Sequence, residues 1–200
     1  MIKRETYMRR IRPFIGNELI KVMTGIRRAG KSVMLELIQE ELICSGVTPE
    51  HFISINFEDL RYMRLLDAMA LHEEILRRAE QIERKGLSVF DEIQEVTDWE
   101  KCINSFRVSL NCDIYITGSN AKLLSGELAT YLGGRYVEFV IYPFSFSEFL
   151  ELYHTMDPVA SVQQCFKSYL LVGGMPYLSN IRYEEEPAKQ YLTDLFHSVS

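Results

Sequence analysis

Gly25-Ile26-Arg27-Arg28-Ala29-Gly30-Lys31-Ser32 is the most informative run in this sequence, because it fits the pattern G-x-x-x-x-G-K-[ST]. At average residue usage, a chain of this length shows that pattern by accident roughly once in a hundred cases. The run follows Leu19-Ile20-Lys21-Val22-Met23-Thr24, which reads as a strand, and opens a helical pattern from about Gly30 to Cys44. Gly25 and Gly30 let the backbone turn and come close to a phosphate. Successive N–H groups and the positive end of the helix then form a cradle for an anion. In that cradle Lys31 is expected to reach the β- and γ-phosphates and the Ser32 hydroxyl to ligate Mg2+. Ile26, Arg27, Arg28 and Ala29 make up the loop and Val33 the first helical turn, so residues 25–33 are the expected nucleotide-contacting stretch.

On either side the chain alternates between short β-branched runs and longer helical patterns. Phe52–Phe57, Leu87–Phe90, Asp113–Thr117 and Arg135–Tyr142 read as strands, the Leu87 run as a short one. Helical patterns separate them at about Leu65–Arg84, Trp99–Leu110 and Ala121–Tyr131. Strands spaced by helices in this way predict right-handed crossovers, hence an α/β three-layer αβα sandwich on a mainly parallel five-stranded sheet. After Pro143 the pattern turns helical: Ser145–Tyr153, Val159–Val172 and a segment from about Pro187, with a break at Gly173-Gly174-Met175-Pro176. The expected division is a P-loop core at 1–143 and a helical lid, or the start of a second domain, at 144–200, with the chain continuing beyond it.

Three further motifs supply chemistry. Leu87-Ser-Val-Phe-Asp91-Glu92 ends a strand on paired carboxylates. About sixty residues after a phosphate loop, that pair predicts Asp91 holding Mg2+ through its water shell and Glu92 orienting and deprotonating a water. Ile114-Tyr-Ile-Thr117-Gly118-Ser119-Asn120 ends a strand on small polar groups; Ser119 and Asn120 are candidates for holding the attacking water beside the γ-phosphate, or for capping the next helix. Gly133-Gly134-Arg135 displays an arginine at a strand start, a candidate finger for the transferring phosphoryl group, with a plain surface arginine as the alternative. Acting across a subunit boundary, Arg135 would make the protein a homo-oligomer. Glu58-Asp59 reads as a loop pair, and Trp99 as a packing residue at a helix start.

The bulk numbers narrow the classes. A chain 47% hydrophobic and 25% charged is an ordinary folded one. Net charge is -6, so nucleic acid as a partner finds no support in overall charge. The basic opening, MIKRETYMRRIRPF, reads as a polar helix face. Four scattered cysteines give neither a zinc site nor a disulfide framework, and no apolar run is long enough to span a membrane. A cytoplasmic protein is expected.

Taken in order, TGIRRAGKS, INFEDLRY, FDEIQEVTDWE, TGSNAKLLSGELATYLGGRY, YPFSFSEFL and VGGMPY resemble the bacterial and archaeal predicted AAA+ ATPases, from about Arg10 to Tyr177. Those proteins carry an ATPase half followed by a C-terminal half of unknown function. The resemblance implies an ASCE-type sheet, with the sensor strand between the P-loop strand and the Walker B strand. By position it implies Gly25–Ser32 as Walker A, Asp91 and Glu92 as Walker B, Ser119 or Asn120 as sensor 1, and Arg135 as the finger. The sequence departs from the family in the brevity of the Walker B run. The expected function is Mg2+-dependent ATP binding and hydrolysis that drives a conformational change. A nucleotide or metabolite kinase is the enzyme rival, and the absence of N-K-x-D disfavours a GTPase. An ATP-binding switch or scaffold with little hydrolysis is the alternative of a different class.

Overall fold

The computed structural model describes residues 2–82, 86–118, 130 and 132–199. Within them the chain forms two compact units. One takes the described residues of Glu5–Gly25 and Lys31–Val140; the other takes those of Met1–Arg4, Ile26–Gly30 and Ile141–Ser200.

The larger unit is built on five parallel strands, β1 (Ile20–Thr24), β2 (Phe52–Asn56), β3 (Gly86–Asp91), β4 (Cys112–Thr117) and β5 (Tyr136–Val140), in the order β2-β3-β4-β1-β5. β4 therefore lies between β1 and β3, as the resemblance implied. All five residues of β1 and all six of β3 are buried, the signature of central parallel strands covered on both faces. β2, at an edge, alternates buried and exposed instead.

Four helices belong to this unit among the described residues: α1 (Glu5–Ile11), α2 (Lys31–Cys44), α3 (Ala68–Ala79) and α4 (Trp99–Ser109). α4 buries Trp99, Cys102, Ile103 and Phe106, one stripe at helical spacing. They join Leu71 and Ile75 of α3 and the strand residues Val22, Ile55, Phe90 and Ile116 in one core. Phe57, Phe90, Phe106 and His72 stack in succession, with centroids 6.4, 5.8 and 5.4 Å apart. Trp99 is thus a packing residue, as expected.

The structure corrects several boundaries. β3 is not short: it spans six residues, and Gly86 and Asp91 pair with Cys112 and Asn56 on the flanking strands. Backbone ladder bonds need no apolar side chain, so hydrophobic patterning underestimated its length. α3 starts only at Ala68, because Asp67 accepts from the N–H groups of Met69 and Ala70 and so caps it. A 3-10 segment, Leu60–Leu65, occupies the preceding residues, and Asp59 caps that segment in turn. The basic opening is not simply a polar face, since α1 buries Tyr7, Met8 and Ile11. The helix expected near Ala121–Tyr131 falls, Thr130 apart, outside the described residues.

The second unit holds α5 (Phe146–Met156), α6 (Val162–Val172) and α7 (Glu185–Val199). Capping boxes start α5 (Ser145 with Glu148) and α6 (Ser161 with Gln164). Phe149, Cys165, Val172, Met175, Leu178, Tyr183 and Ala188 form its core. Gly174 is required by a close approach: a Cβ there would stand 2.1 Å from the Phe144 carbonyl oxygen, and the Gly174 carbonyl accepts from the Phe144 N–H at 2.7 Å.

Candidate functional site

In the larger unit, three of the five strands end on polar side chains that meet. β3 ends on Asp91 and β4 on Thr117, both buried. The Thr117 hydroxyl donates to Asp91 Oδ1 and accepts from the Glu92 N–H at 3.0 Å. Asn56, the last residue of β2, donates from Nδ2 to Asp91 Oδ2 at 3.2 Å. Both carboxylate oxygens are thus engaged, and a buried carboxylate needs that. Parallel strands in this order bring their C-terminal ends to one edge, where α/β proteins place ligands.

Lys31, the first residue of α2, is 4% exposed. Its Nζ lies 3.7 Å from Glu92 Oε1 and donates to the Gly25 carbonyl at 3.3 Å. Glu92 sits in left-handed backbone, φ 53, a conformation that costs energy for a residue with a side chain. Its other carboxylate oxygen accepts from Gln94 Nε2 at 2.5 Å. Lys31, Asp91 and Glu92 are therefore brought together, and Ser32, the next residue of α2, is exposed.

Gly25 has φ 142 and Gly30 φ 98, positions where a β-carbon would strain the chain. Arg28, between them, also adopts positive φ, 64. Ile26–Gly30 group with the second unit. There the Arg28 guanidinium lies 6.0 Å from the Tyr177 ring centroid and 5.7 Å from that of Tyr191. Arg27 is exposed and Ala29 buried; Val33, in the first turn of α2, is half-buried.

Arg135 does not join this cluster. It is exposed, immediately before β5, and its carbonyl accepts from the N–H of Ile20 at the start of β1. It therefore lies at the strand-start edge of the sheet, with the five residues of β1, about 16 Å at 3.3 Å each, between it and Gly25. Ser119 and Asn120 lie outside the described residues. Reading the sequence missed Asn56, Gln94 and Thr117. Thr117 was within reach, as the last residue of a recognised strand; Asn56 and Gln94 carry no local signal.

A cavity of about 340 Å3 opens at the strand-start edge, lined by Ile53, Ala79, Ile82, Gly86, Asn111 and Cys112, remote from these groups. No cluster of metal-ligating side chains of the His/Cys/Asp/Glu kind occurs among the described residues. No helix among them is long and apolar enough to cross a membrane.

Sheet order, strand-to-helix loop and converging strand ends together define a P-loop NTPase fold of the AAA+ type. The model of a family described as "AAA domain" matches residues 17–150, and the chain belongs to that family. Two curated relatives are similar along nearly its whole length. An uncharacterized protein of Haemophilus influenzae is 40% identical over 200 residues, covering all of this chain and 49% of that protein. The uncharacterized protein MJ1544 of Methanocaldococcus jannaschii is 35% identical over 191 residues, 89% of this chain and 41% of that protein. The chain thus spans less than half the length of either relative. Among solved structures it is similar in fold to the Orc1 protein of Aeropyrum pernix, solved in complex with DNA (TM-score 0.59, 14% identity, 79% of this chain and 50% of that one). It is likewise similar to Cdc6p of Pyrobaculum aerophilum (TM-score 0.56, 15% identity, 92% and 59%).

Proposed function

We propose that this chain binds Mg2+·ATP at the loop Gly25–Ser32 and hydrolyses it with Glu92 as the base, using the cycle to drive a conformational change. The observation that carries the reading is the buried Lys31 ammonium 3.7 Å from the Glu92 carboxylate, beside Asp91. A buried ammonium needs an anionic partner. Incoming phosphates would supply one, leaving the carboxylate to take a proton from the attacking water. The donor set fits Mg2+, which prefers hard oxygens and few carboxylates: the Ser32 hydroxyl as a direct ligand, and Asp91 through the ion's water shell. When bound, the ion neutralises charge on the phosphate oxygens. Ser119 and Asn120 remain the proposed sensor residues, and the helical unit the proposed lid.

Arg135 is proposed as a finger for a neighbouring subunit's nucleotide, because its exposure and its place before β5 leave no cis role at the Lys31 cluster. Mixing Arg135→Ala with Lys31→Ala chains tests this: recovery of turnover supports a shared site, and no recovery removes the proposal. The Orc1 protein was solved in complex with DNA, but for this chain a net charge of -6 gives DNA binding no support. A cytoplasmic setting belongs to the same proposal and rests on the scattered spacing of the four cysteines in the sequence.

A switch that binds ATP with little hydrolysis is the second reading. The length of β3 does not favour it, because each of its six residues pairs with at least one flanking strand. What favours it is Glu92 itself, held by Lys31 and Gln94 in strained backbone. Turnover in Gln94→Ala separates the two: an increase supports a restrained base, and no change or a loss opposes it. Titration of the protein with Mg2+·ATP and Mg2+·GTP tests the reading as a whole; ATP binding that Lys31→Ala abolishes is expected, and absence of binding refutes it.

A further inference from the structure

We infer that Arg4 is a positioning residue for the phosphate-binding loop, tying the loop's backbone to the segment that leads into α5. The inference rests on the ATP-binding reading of the loop.

Arg4 is 2% exposed and adopts left-handed backbone, φ 47. Both features are costly: the first takes a guanidinium out of water and the second strains the chain. A leucine or methionine would fill the space with less penalty, so the guanidinium must be needed for what it holds. Its Nη1 donates to the Ala29 carbonyl at 3.0 Å, its Nη2 to the Tyr142 carbonyl at 2.7 Å, and its Nε to Glu148 Oε1 at 3.0 Å. The Phe144 ring packs 5.1 Å from its carbon centre. Three divergent donors from one rigid plane are what an arginine provides and a lysine does not.

The bond to Ala29 matters because of peptide geometry. The Ala29 carbonyl and the Gly30 N–H belong to one planar trans unit, so they point in opposite directions. Fixing the carbonyl against a buried cation aims the Gly30 N–H away from Arg4, as a backbone donor to an anion. Gly30, at φ 98, allows this orientation, and a Cβ there would sit 3.4 Å from Arg4 Nη1. Arg4 thus orients a donor of the cradle without touching the ligand. Glu148 is also the capping-box residue of α5, so the same guanidinium connects that helix start to the loop. By linkage, a ligand that favours the ordered loop also favours the ordered form of residues 142–148.

The test compares Mg2+·ATP affinity and thermal midpoint in wild type, Arg4→Lys, Glu148→Gln and Lys31→Ala. Arg4→Lys keeps a cation beside Glu148 but cannot make all three bonds; its affinity should fall about 10- to 100-fold, the worth of a charge-assisted hydrogen bond. Glu148→Gln leaves the bond to Ala29 in place; its midpoint should drop while affinity stays within about threefold. A purely structural arginine would make affinity follow the midpoint in both variants, and that result overturns the inference. Wild-type binding, loss in Lys31→Ala and unchanged affinity in Arg4→Lys overturn the positioning role alone. Absence of binding in wild type overturns the ATP-binding reading and the inference with it. Should Arg4→Lys fail to fold, hydrogen exchange in the wild type decides. Mg2+·ATP should slow exchange at residues 142–148, and unchanged exchange there overturns the inference.

Discussion

Replacing Thr117 by valine removes one hydroxyl from the end of β4 and keeps the shape of the side chain. Thr117 is fully buried, and its oxygen makes two hydrogen bonds, donating to Asp91 and accepting from the Glu92 N–H. A bond to an ionised carboxylate contributes about 1.5–3 kcal/mol, and a backbone donor left without its acceptor costs about 1 kcal/mol more. Together they predict a loss of about 3 kcal/mol, a large share of the ~5–15 kcal/mol that holds a domain. Thr117→Ser keeps the hydroxyl and loses only a methyl group, at about 1 kcal/mol. Trp99 is the sole tryptophan and is 6% exposed in the same core, so its fluorescence during urea unfolding reports this unit. The valine variant should also lose turnover, because the Glu92 N–H and Asp91 Oδ1 both bond to this hydroxyl. A valine variant as stable as the serine variant, with turnover intact, would refute that role of the Thr117 hydroxyl.

Three other perturbations have defined outcomes. Lys21 is fully buried, bonded to Asp113 and to the Asn17 carbonyl, while Asp113 also accepts from Tyr115 Oη and the Gly16 N–H. Lys21→Met or Asp113→Leu alone should cost about 3–5 kcal/mol in urea unfolding, and the double variant clearly less than their sum; strict additivity would contradict a coupled pair. Gly174→Ala forces a Cβ against the Phe144 carbonyl and should destabilise the helical unit by about 1–3 kcal/mol, read as faster proteolysis between α5 and α7. Burial alone would raise the Glu148 carboxyl, but the Arg4 guanidinium and Ser145 outweigh it and hold it below its ordinary value of 4.5. A depressed folded value stabilises above the unfolded value and is lost as pH falls through the folded one. Acid unfolding below pH 4.5 should therefore be shallower in Glu148→Gln than in wild type.

What the sequence made legible was whatever is local. The phosphate loop is one contiguous run, and Asp91-Glu92 follows a recognisable strand, so spacing and patterning sufficed for both. Parallel order followed from the alternation of strands and helices. The length of β3 was hidden, because its end residues Gly86 and Asp91 belong to the ladder through backbone bonds alone. Asn56 lies 35 residues from Asp91 and was unreadable until β2 and β3 were aligned. Arg4 looked like one charge in a basic run, and only the fold places it against the Ala29 carbonyl. Arg135 is exposed immediately before β5, but the edge of the sheet on which it lies depended on the register of β5 against β1.

The measurement that tests the central claim most directly is Mg2+-dependent ATP binding and turnover by the wild type, Lys31→Ala and Glu92→Gln, side by side. The account predicts binding and turnover in the wild type, loss of binding in the lysine variant, and binding without turnover in the glutamine variant. No ATP binding by the wild type, or turnover that survives in Glu92→Gln, would contradict it.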